Sequence, residues 1–351
     1  MKAHVQKHRL VFKKPGGTSR GVLHHKDTYF LTLTDGVHWG VGECGVFEGL
    51  SPENMSHYPD HLDWVCQNID RGLASLLAAS EAFPSIQMGM ETAFRSIHGE
   101  DSFAIFPSLF SSGADKIAIN GLIWMGPIET MSQQIEQRLE EGFDCIKLKI
   151  GALNFAAELA LIKGLRSRFS ASEITIRVDA NGAYTDDAPL EKLKRLSELD
   201  LHSIEQPIAQ GHWDQMAELC ERTDLPIALD EELIGIIGLD QKRKMLQTIR
   251  PQYIILKPSL IGGFSASDQW IELAQSQDIG WWVTSALESN IGLNAIAQYT
   301  YTKQALGPQG LGTGSLFANN IDAPLRVEKG YLSYDPHADW SLQHLNIPTC
   351  L

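Results

Sequence analysis

Lys149, Asp179, Glu205, Asp230 and Lys257 follow one another at intervals of 30, 26, 25 and 27 residues, each the span of one strand and one helix. Such regular spacing predicts five charged side chains at matching heights on successive parallel strands. Lys147 joins them. In the run CIKLKI (145–150) the aliphatic residues alternate with two lysines, which places both ammonium groups on the inner face, about 7 Å apart. Buried lysines need anionic neighbours, and three carboxylates held together need a cation before all of them can ionise. Ligands that are all oxygen, with no Cys or His, select a hard ion. Asp179, Glu205 and Asp230 are therefore the expected ligands of Mg²⁺, with Mn²⁺ as a substitute. For any one of these residues a solvated charge at a strand end is the plain alternative; the shared height of all five favours a joint site.

Eight short β-branched or apolar runs would carry these residues: 117–124, 145–150, 174–180, 203–207, 226–231, 253–258, 280–287 and a weaker one at 310–316. Helical spacing lies between them, as in Met131, Ile135 and Leu139 closed by Gly142, or Leu190, Leu193, Leu196 and Leu199 after Thr185-Asp186. Eight strand–helix units with right-handed crossovers predict an α/β fold whose parallel sheet closes into a barrel. A doubly wound sheet would carry a GxGxxG or P-loop turn, and neither is present. In a ring of eight, strands two and six face each other, so the three carboxylates form one wall between opposed lysines. Residues 1–115 read as a separate α+β domain, with a hairpin of 31–34 and 37–41 turning at Asp35-Gly36 and helical patterns near 60–79 and 87–98. The barrel is expected over 116–320, and 321–351 as a segment packing back on the first domain.

The net charge of −14, from 29 basic and 43 acidic residues, repels phosphate backbones and anionic surfaces, which argues against nucleic acid and membrane as partners. No run approaches the roughly 20 apolar residues of a membrane span, and the lysine-rich start carries no secretory h-region. Five scattered cysteines without CxxC spacing suggest neither a disulfide framework nor a thiolate site, so a reducing cytoplasm is the expected compartment. Homo-oligomeric assembly stays open.

The segments KLK (147–149), VDAN (178–181), IEQP (204–207), LDEE (229–232) and LKPSLIGG (256–263) together resemble the enolase superfamily, in the subgroup of muconate cycloisomerases, dipeptide epimerases and o-succinylbenzoate synthases. That resemblance implies a modified TIM barrel, (β/α)7β, with an N-terminal α+β capping domain. PGGTSRG (15–21), SALESNIG (285–292) and GLGTGSLF (310–317) are similar to the o-succinylbenzoate synthases of menaquinone synthesis. The implied activity is a Mg²⁺-dependent syn-dehydration of a small dicarboxylate, 2-succinyl-6-hydroxy-2,4-cyclohexadiene-1-carboxylate, through an enediolate. The alternatives are an N-acylamino acid racemase or muconate cycloisomerase and, outside enzymes, an inactive barrel with a binding role. The neutral Ser285-Ala286-Leu287 stands where a dipeptide epimerase would carry Asp-x-Asp, and no His stands on the Lys257 side as in mandelate racemase-like members.

By the same resemblance Lys149 is the base, kept neutral by Lys147 and the metal charge against the pull of the carboxylates, and then the acid for the departing hydroxyl. Lys257 is either a cation over the aromatising ring or, in a racemising relative, the acid–base partner on the opposite face. Asn120 and Gly121 at the end of strand one, and the backbones of Gly262-Gly263 and Ser285 to Leu287, are expected to hold substrate carboxylates, with tight-turn geometry the alternative for the glycines. Asn181 and Glu231, next to metal ligands, are expected to orient them. The loop 16–20 is expected to close over the site. Trp281 and Trp282 read as packing, and His24, His25, His202 and His212 as surface or core.

Overall fold

The computed structural model describes residues 1–18, 21–185, 188–343 and 345. The chain opens with a long antiparallel hairpin, β1 (Lys2–Thr18) and β2 (Gly21–Thr34), to which β3 (Trp39–Cys44) adds. The β2–β3 turn is closed by Asp35, whose Oδ1 accepts the N–H groups of Val37 and His38, with Gly36 at φ 96°. The sequence reading had only the second half of this sheet. β1 alternates polar and apolar residues only over Lys2 to Val5, followed by four polar and three apolar residues that hide the strand period, and a register break between Val11 and Gly16 precedes the tip.

Three helices cover the sheet: α1 (Tyr58–Gln67), α2 (Leu73–Ala79) and α3 (Pro84–His98). The single helical stretch expected over 60–79 is broken at Gly72, where φ is 80°. Helix α3 lies directly on β3 because glycines face each other: a Cβ on Gly42 would stand 1.9 Å from the Gly89 carbonyl oxygen, and one on Gly89 would stand 2.3 Å from Cys44 Sγ. This close seat holds α3 against both the cap and the barrel.

After β4 (Lys116–Ala118) the strand–helix alternation runs β5 (Gly121–Ile123), α4 (Ile128–Glu140), β6 (Cys145–Lys149), α5 (Phe155–Arg168), β7 (Thr175–Asp179), α6 (Pro189–Ser197) and β8 (Ser203–Glu205). It continues with α7 (Trp213–Arg222), β9 (Ile227–Leu229), α8 (Leu239–Ile249), β10 (Tyr253–Leu256), α9 (Pro258–Ile261), α10 (Gly263–Gln275), β11 (Gly280–Val283) and α11 (Asn290–Thr302). Strands β5 to β11 form one parallel seven-stranded sheet in chain order. The apolar sides of the strands and the inner faces of the helices make one continuous core.

Two predicted strands take a different form. The run 117–124 divides at Asn120: Lys116–Ala118 pairs with the C-terminal hairpin β12 (Leu325–Glu328) and β13 (Tyr331–Tyr334), and only Gly121–Ile123 enters the barrel. The expected eighth strand at 310–316 is reduced to two bridges, Thr284 with Gly310 and Ile119 with Gln309. These still close the ring. Gly310 permits this, since a Cβ there would lie 2.4 Å from Thr284 Oγ1. The last segment serves two partners, because β13 pairs with β4 while Ile321, Trp340, Leu342 and Leu345 pack with Phe30, Trp39 and Val41 of the cap. Among the described residues no helix is long and apolar enough to cross a membrane, and Cys44, Cys66, Cys145 and Cys220 are free thiols.

Candidate active site

Pairing across three strands sets Lys149 beside Asp179 and Asp179 beside Glu205. The next step differs from the expected equal height: Glu205 pairs with Ala228, and Asp230 stands two residues farther along, just past β9. Strand stagger, which every closed barrel needs, accounts for the offset. The carboxylates nevertheless converge. One oxygen from each of Asp179, Glu205 and Asp230 lies within 4.8 Å of the others, and all three residues are buried.

The lysines bracket this triad. Lys147 Nζ lies 3.0 Å from Asp179 Oδ2 and donates to Glu205 Oε2. Lys149 Nζ donates to Asp179 Oδ2 at 2.6 Å and to Asn181 Oδ1 at 2.7 Å. From the opposite wall, after β10, Lys257 donates to Asp230 Oδ2. Asn181, in left-handed backbone at φ 45°, also donates from Nδ2 to Glu231 Oε1 at 2.9 Å. It thereby ties Lys149 to the end of β9.

Burial opposes ionisation of Asp179, but Lys147 and Lys149 outweigh it and hold the carboxyl far below its usual range. Lys147 is raised because Asp179 and Glu205 overcome its own burial, and Lys257 is raised likewise by Asp230 and Glu231. Glu205 goes the other way: burial, with Asp179 and Asp230 adding, pushes it up to about 8 against Lys147. With all four ionised, Asp179, Glu205, Asp230 and Glu231 exceed the three lysines by one negative charge, and without a cation the raised Glu205 relieves that excess by holding a proton. In addition, Glu205 Oε1 and Asp230 Oδ1 are buried with no hydrogen-bond partner. Two orphaned carboxylate oxygens, an excess of negative charge and an all-oxygen donor set fit a hard divalent cation.

A cavity of about 380 Å³ opens above the triad. Lys147, Lys149, Asn181, Glu231 and Lys257 form its floor, and the cap contributes 21–23 and 47–50. Residues 130–337 match the family model described as enolase C-terminal domain-like, more than half of the chain. The chain belongs to the enolase superfamily. It is 44% identical to the o-succinylbenzoate synthase of Desulfotalea psychrophila, over 95% of this chain and 98% of that one. The crystal structure of MenC from Desulfotalea psychrophila superposes with a TM-score of 0.85 at 41% identity, covering 95% of this chain and 99% of that one. The N-succinylamino acid racemase of Thermus thermophilus is 36% identical over 47% of this chain and 42% of its own length.

In this enolase-superfamily barrel the remaining candidates are placed unequally. Asn120 lines the cavity, yet it precedes β5 rather than ending it. Ser285 and Leu287 line it too, but their N–H groups are already used: Ser285 donates to the Gly310 carbonyl at 3.0 Å and Leu287 to Ser285 Oγ at 3.1 Å. Among the described residues the N–H groups of Ala286 and Gly312 and the Asn120 side chain have no protein partner. Gly262 and Gly263 do not reach this cavity. Their positive φ values, 101° and 79°, turn the chain beneath α3, where Glu91 accepts the Phe264 and Ser265 N–H groups and caps α10. Of the expected lid, Gly16 packs on the Trp124 ring and Gly17 against the Met125 carbonyl; Ser19 and Arg20 lie outside the described residues.

Trp282 is buried under Arg177, whose guanidinium carbon lies 4.1 Å from the ring centroid, and His202 stacks on Tyr253, with burial pushing it down to about 4. Sequence reasoning missed Gln206. Its Oε1 accepts the N–H groups of Asp230 and Glu232, fixing the backbone that carries the third ligand. Strand alternation would turn Gln206 away from the face of Glu205; its left-handed backbone, at φ 37°, lets it reach the next strand, and the IEQP run carries no signal of that.

Proposed function

We propose that the protein is an o-succinylbenzoate synthase that dehydrates 2-succinyl-6-hydroxy-2,4-cyclohexadiene-1-carboxylate. The arrangement that carries this reading is one wall of three buried carboxylates between Lys149 and Lys257, in a chain 44% identical to an o-succinylbenzoate synthase along nearly its whole length. Asp179, Glu205 and Asp230 would hold Mg²⁺, or Mn²⁺ in its place. Bound there, the ion supplies the positive charge that makes the proton α to the substrate carboxylate removable.

Lys149 is the base. Its Nζ reaches the cavity while Asp179 and Asn181 fix the direction of its lone pair, so the amine meets one face of the ring only. The proton it takes is then on the same side as the leaving hydroxyl, and Lys149 returns it there as water departs. Lys147, pinned between Asp179 and Glu205, moves no proton and compensates the triad. Lys257, held by Asp230 on the facing wall, presents a cation to the other face of the ring as aromatic character develops. The second carboxylate of the substrate meets the N–H groups of Ala286 and Gly312 and the Asn120 amide. Phe47, Trp124, Leu287 and Leu316 exclude water above it.

The facing lysines also suit a second reaction, racemisation of an N-succinylamino acid, for which the likeness to the Thermus relative is the supporting observation. One experiment separates them. The Mg²⁺-loaded protein is given the cyclohexadiene substrate and, separately, N-succinyl amino acids in D₂O. Dehydration lost in Lys149→Ala, with the fold retained, is the expected result. Deuterium exchange into the amino acids without any dehydration would overturn the first reading in favour of the second. A cytoplasmic location accords with the free cysteines.

A further inference from the structure

Two carboxylates outside the triad are almost completely buried at the junction of cap and barrel. Glu288 is 0% and Glu43 1% exposed. Glu288 follows β11 and gathers the ends of three successive barrel positions. Its Oε1 accepts from Ser259 Oγ, two residues beyond Lys257, at 2.6 Å. Its Oε2 accepts from Ser285 Oγ at 2.5 Å, and that hydroxyl in turn accepts from Thr313 Oγ1 at 2.9 Å and from the Leu287 N–H. Leu287 is thereby held at φ 63°, a conformation that a leucine does not adopt without such support.

Glu43, from β3 of the cap, grips the adjoining turn. It accepts from the N–H and hydroxyl of Ser289, from the Gly292 N–H and from Thr28 Oγ1. Ser289 is the N-cap of α11, so a cap carboxylate sits at the positive end of a barrel helix. Lys26 completes the junction. Its Nζ donates to the Gly45 carbonyl at 3.3 Å, and a Cβ on Gly45 would lie 3.1 Å from Glu288 Cγ, 3.3 Å from Ser259 Oγ and 3.6 Å from Lys26 Nζ. The attraction of Glu43, Glu288 and Glu53 counters the burial that lowers Lys26.

Neither Glu288, Glu43 nor Lys26 lines the cavity; Ser285, Ala286, Leu287 and Thr313 do. We infer that Lys26, Glu43 and Glu288 form a buried latch between cap and barrel, and that Glu288 is the positioning residue that aims the 285–287 and 313 wall at the second carboxylate of the substrate. The inference rests on the proposed dicarboxylate reaction for its substrate, though not for the latch itself. The reacting carboxylate belongs to the opposite wall, so loosening this one weakens recognition of the second anion and leaves proton removal in place.

The full chain with Mg²⁺ is tested in two ways. Hydrogen–deuterium exchange reads the latch without any substrate: Glu288→Ala is expected to speed exchange of 43–50 and 285–292 while β7 to β9 stay protected. Kinetics read the positioning, with the cyclohexadiene dicarboxylate and its side-chain methyl ester as paired substrates. Glu288→Ala is expected to raise KM for the dicarboxylate about tenfold, with kcat within about twofold and KM for the ester within about twofold. Glu288→Gln keeps acceptor and donor positions for Ser259 and Ser285 and is expected to restore the wild-type ratio.

Equal losses on both substrates, or unchanged KM, would overturn the positioning role; unchanged exchange would overturn the latch. If the wild type dehydrates neither substrate, the proposed reaction fails and the latch is still decided by exchange. Should Glu288→Ala not fold, Ser285→Ala cuts the same chain of hydrogen bonds, and an unaltered KM ratio in that variant is equally fatal.

Discussion

Glu205→Gln separates the metal-binding reading from a purely structural ion cluster. Glu205 has one oxygen on Lys147 and the other, Oε1, without a partner, so the substitution keeps the shape and removes the charge that a cation would use. Losing one of three anionic ligands should weaken Mg²⁺ at least about a hundredfold, about 2.7 kcal/mol. At a Mg²⁺ concentration of about one hundred times the wild-type Kd, the ion adds about 2.7 kcal/mol to the stability of the wild type but only about 0.4 kcal/mol to that of the variant. A chain of 351 residues has an unfolding entropy near 0.74 kcal/mol/K, from about 2.1 cal/mol/K per residue, so the two gains correspond to about 4 °C and under 1 °C. Thermal melts of chelator-stripped protein across a Mg²⁺ titration measure both. The stripped variant should melt no lower than the stripped wild type, because without a cation the raised Glu205 is largely a neutral carboxyl, which the amide replaces at equal shape. A variant that gained the full 4 °C, or that lost stability only in the stripped state, would refute the assignment.

Three further outcomes follow from the geometry. Lys257→Met should slow dehydration by about a hundredfold while Lys149 still exchanges the substrate α-proton with D₂O, measured by NMR; loss of exchange as well would make Lys257 part of the base. Burial pushes Lys242 down to about 8 beside Trp270, with only Gln269 and a carbonyl as partners, so the folded state binds fewer protons than the unfolded chain between about pH 8 and 10.5. Stability should therefore rise with pH through that window, and Lys242→Met should flatten the rise and stabilise the protein at pH 7 by about 1–2 kcal/mol in denaturant melts. Gly42→Ala forces a Cβ onto the Gly89 carbonyl and should cost about 3 kcal/mol, seen as a fall of about 4 °C in Tm.

The constellation of Lys147, Lys149, Asp179, Glu205 and Asp230 was legible because strand periodicity and a repeating strand–helix length are local properties. Each residue's face and approximate height can be counted along the chain. Asp230's two-residue offset was not countable, since it arises from stagger between β8 and β9, which only pairing reveals. The same limit applies to the eighth barrel position. A run rich in glycine looked like a weak strand, whereas its role is to let Gly310 and Gln309 bridge β11 to the start of the first barrel strand. Ser285 and Leu287 show another side of it: their place at the rim could be read, but not that their N–H groups are consumed within the protein.

What the sequence determined by itself is the chemistry available: hard oxygen ligands, two flanking lysines and a neutral rim, all set by residue type and by spacing that a parallel barrel converts into proximity. What only the tertiary structure decided is how the cap completes the site. Glu91 takes the Gly262-Gly263 turn away from the substrate, Glu43 accepts from Ser289 across 246 residues of chain, and Gly45 brings Lys26 up to Glu288. No periodicity encodes such contacts. They arise from packing two separate layers together, where burial makes every unpaired charge costly and so dictates which distant groups must meet.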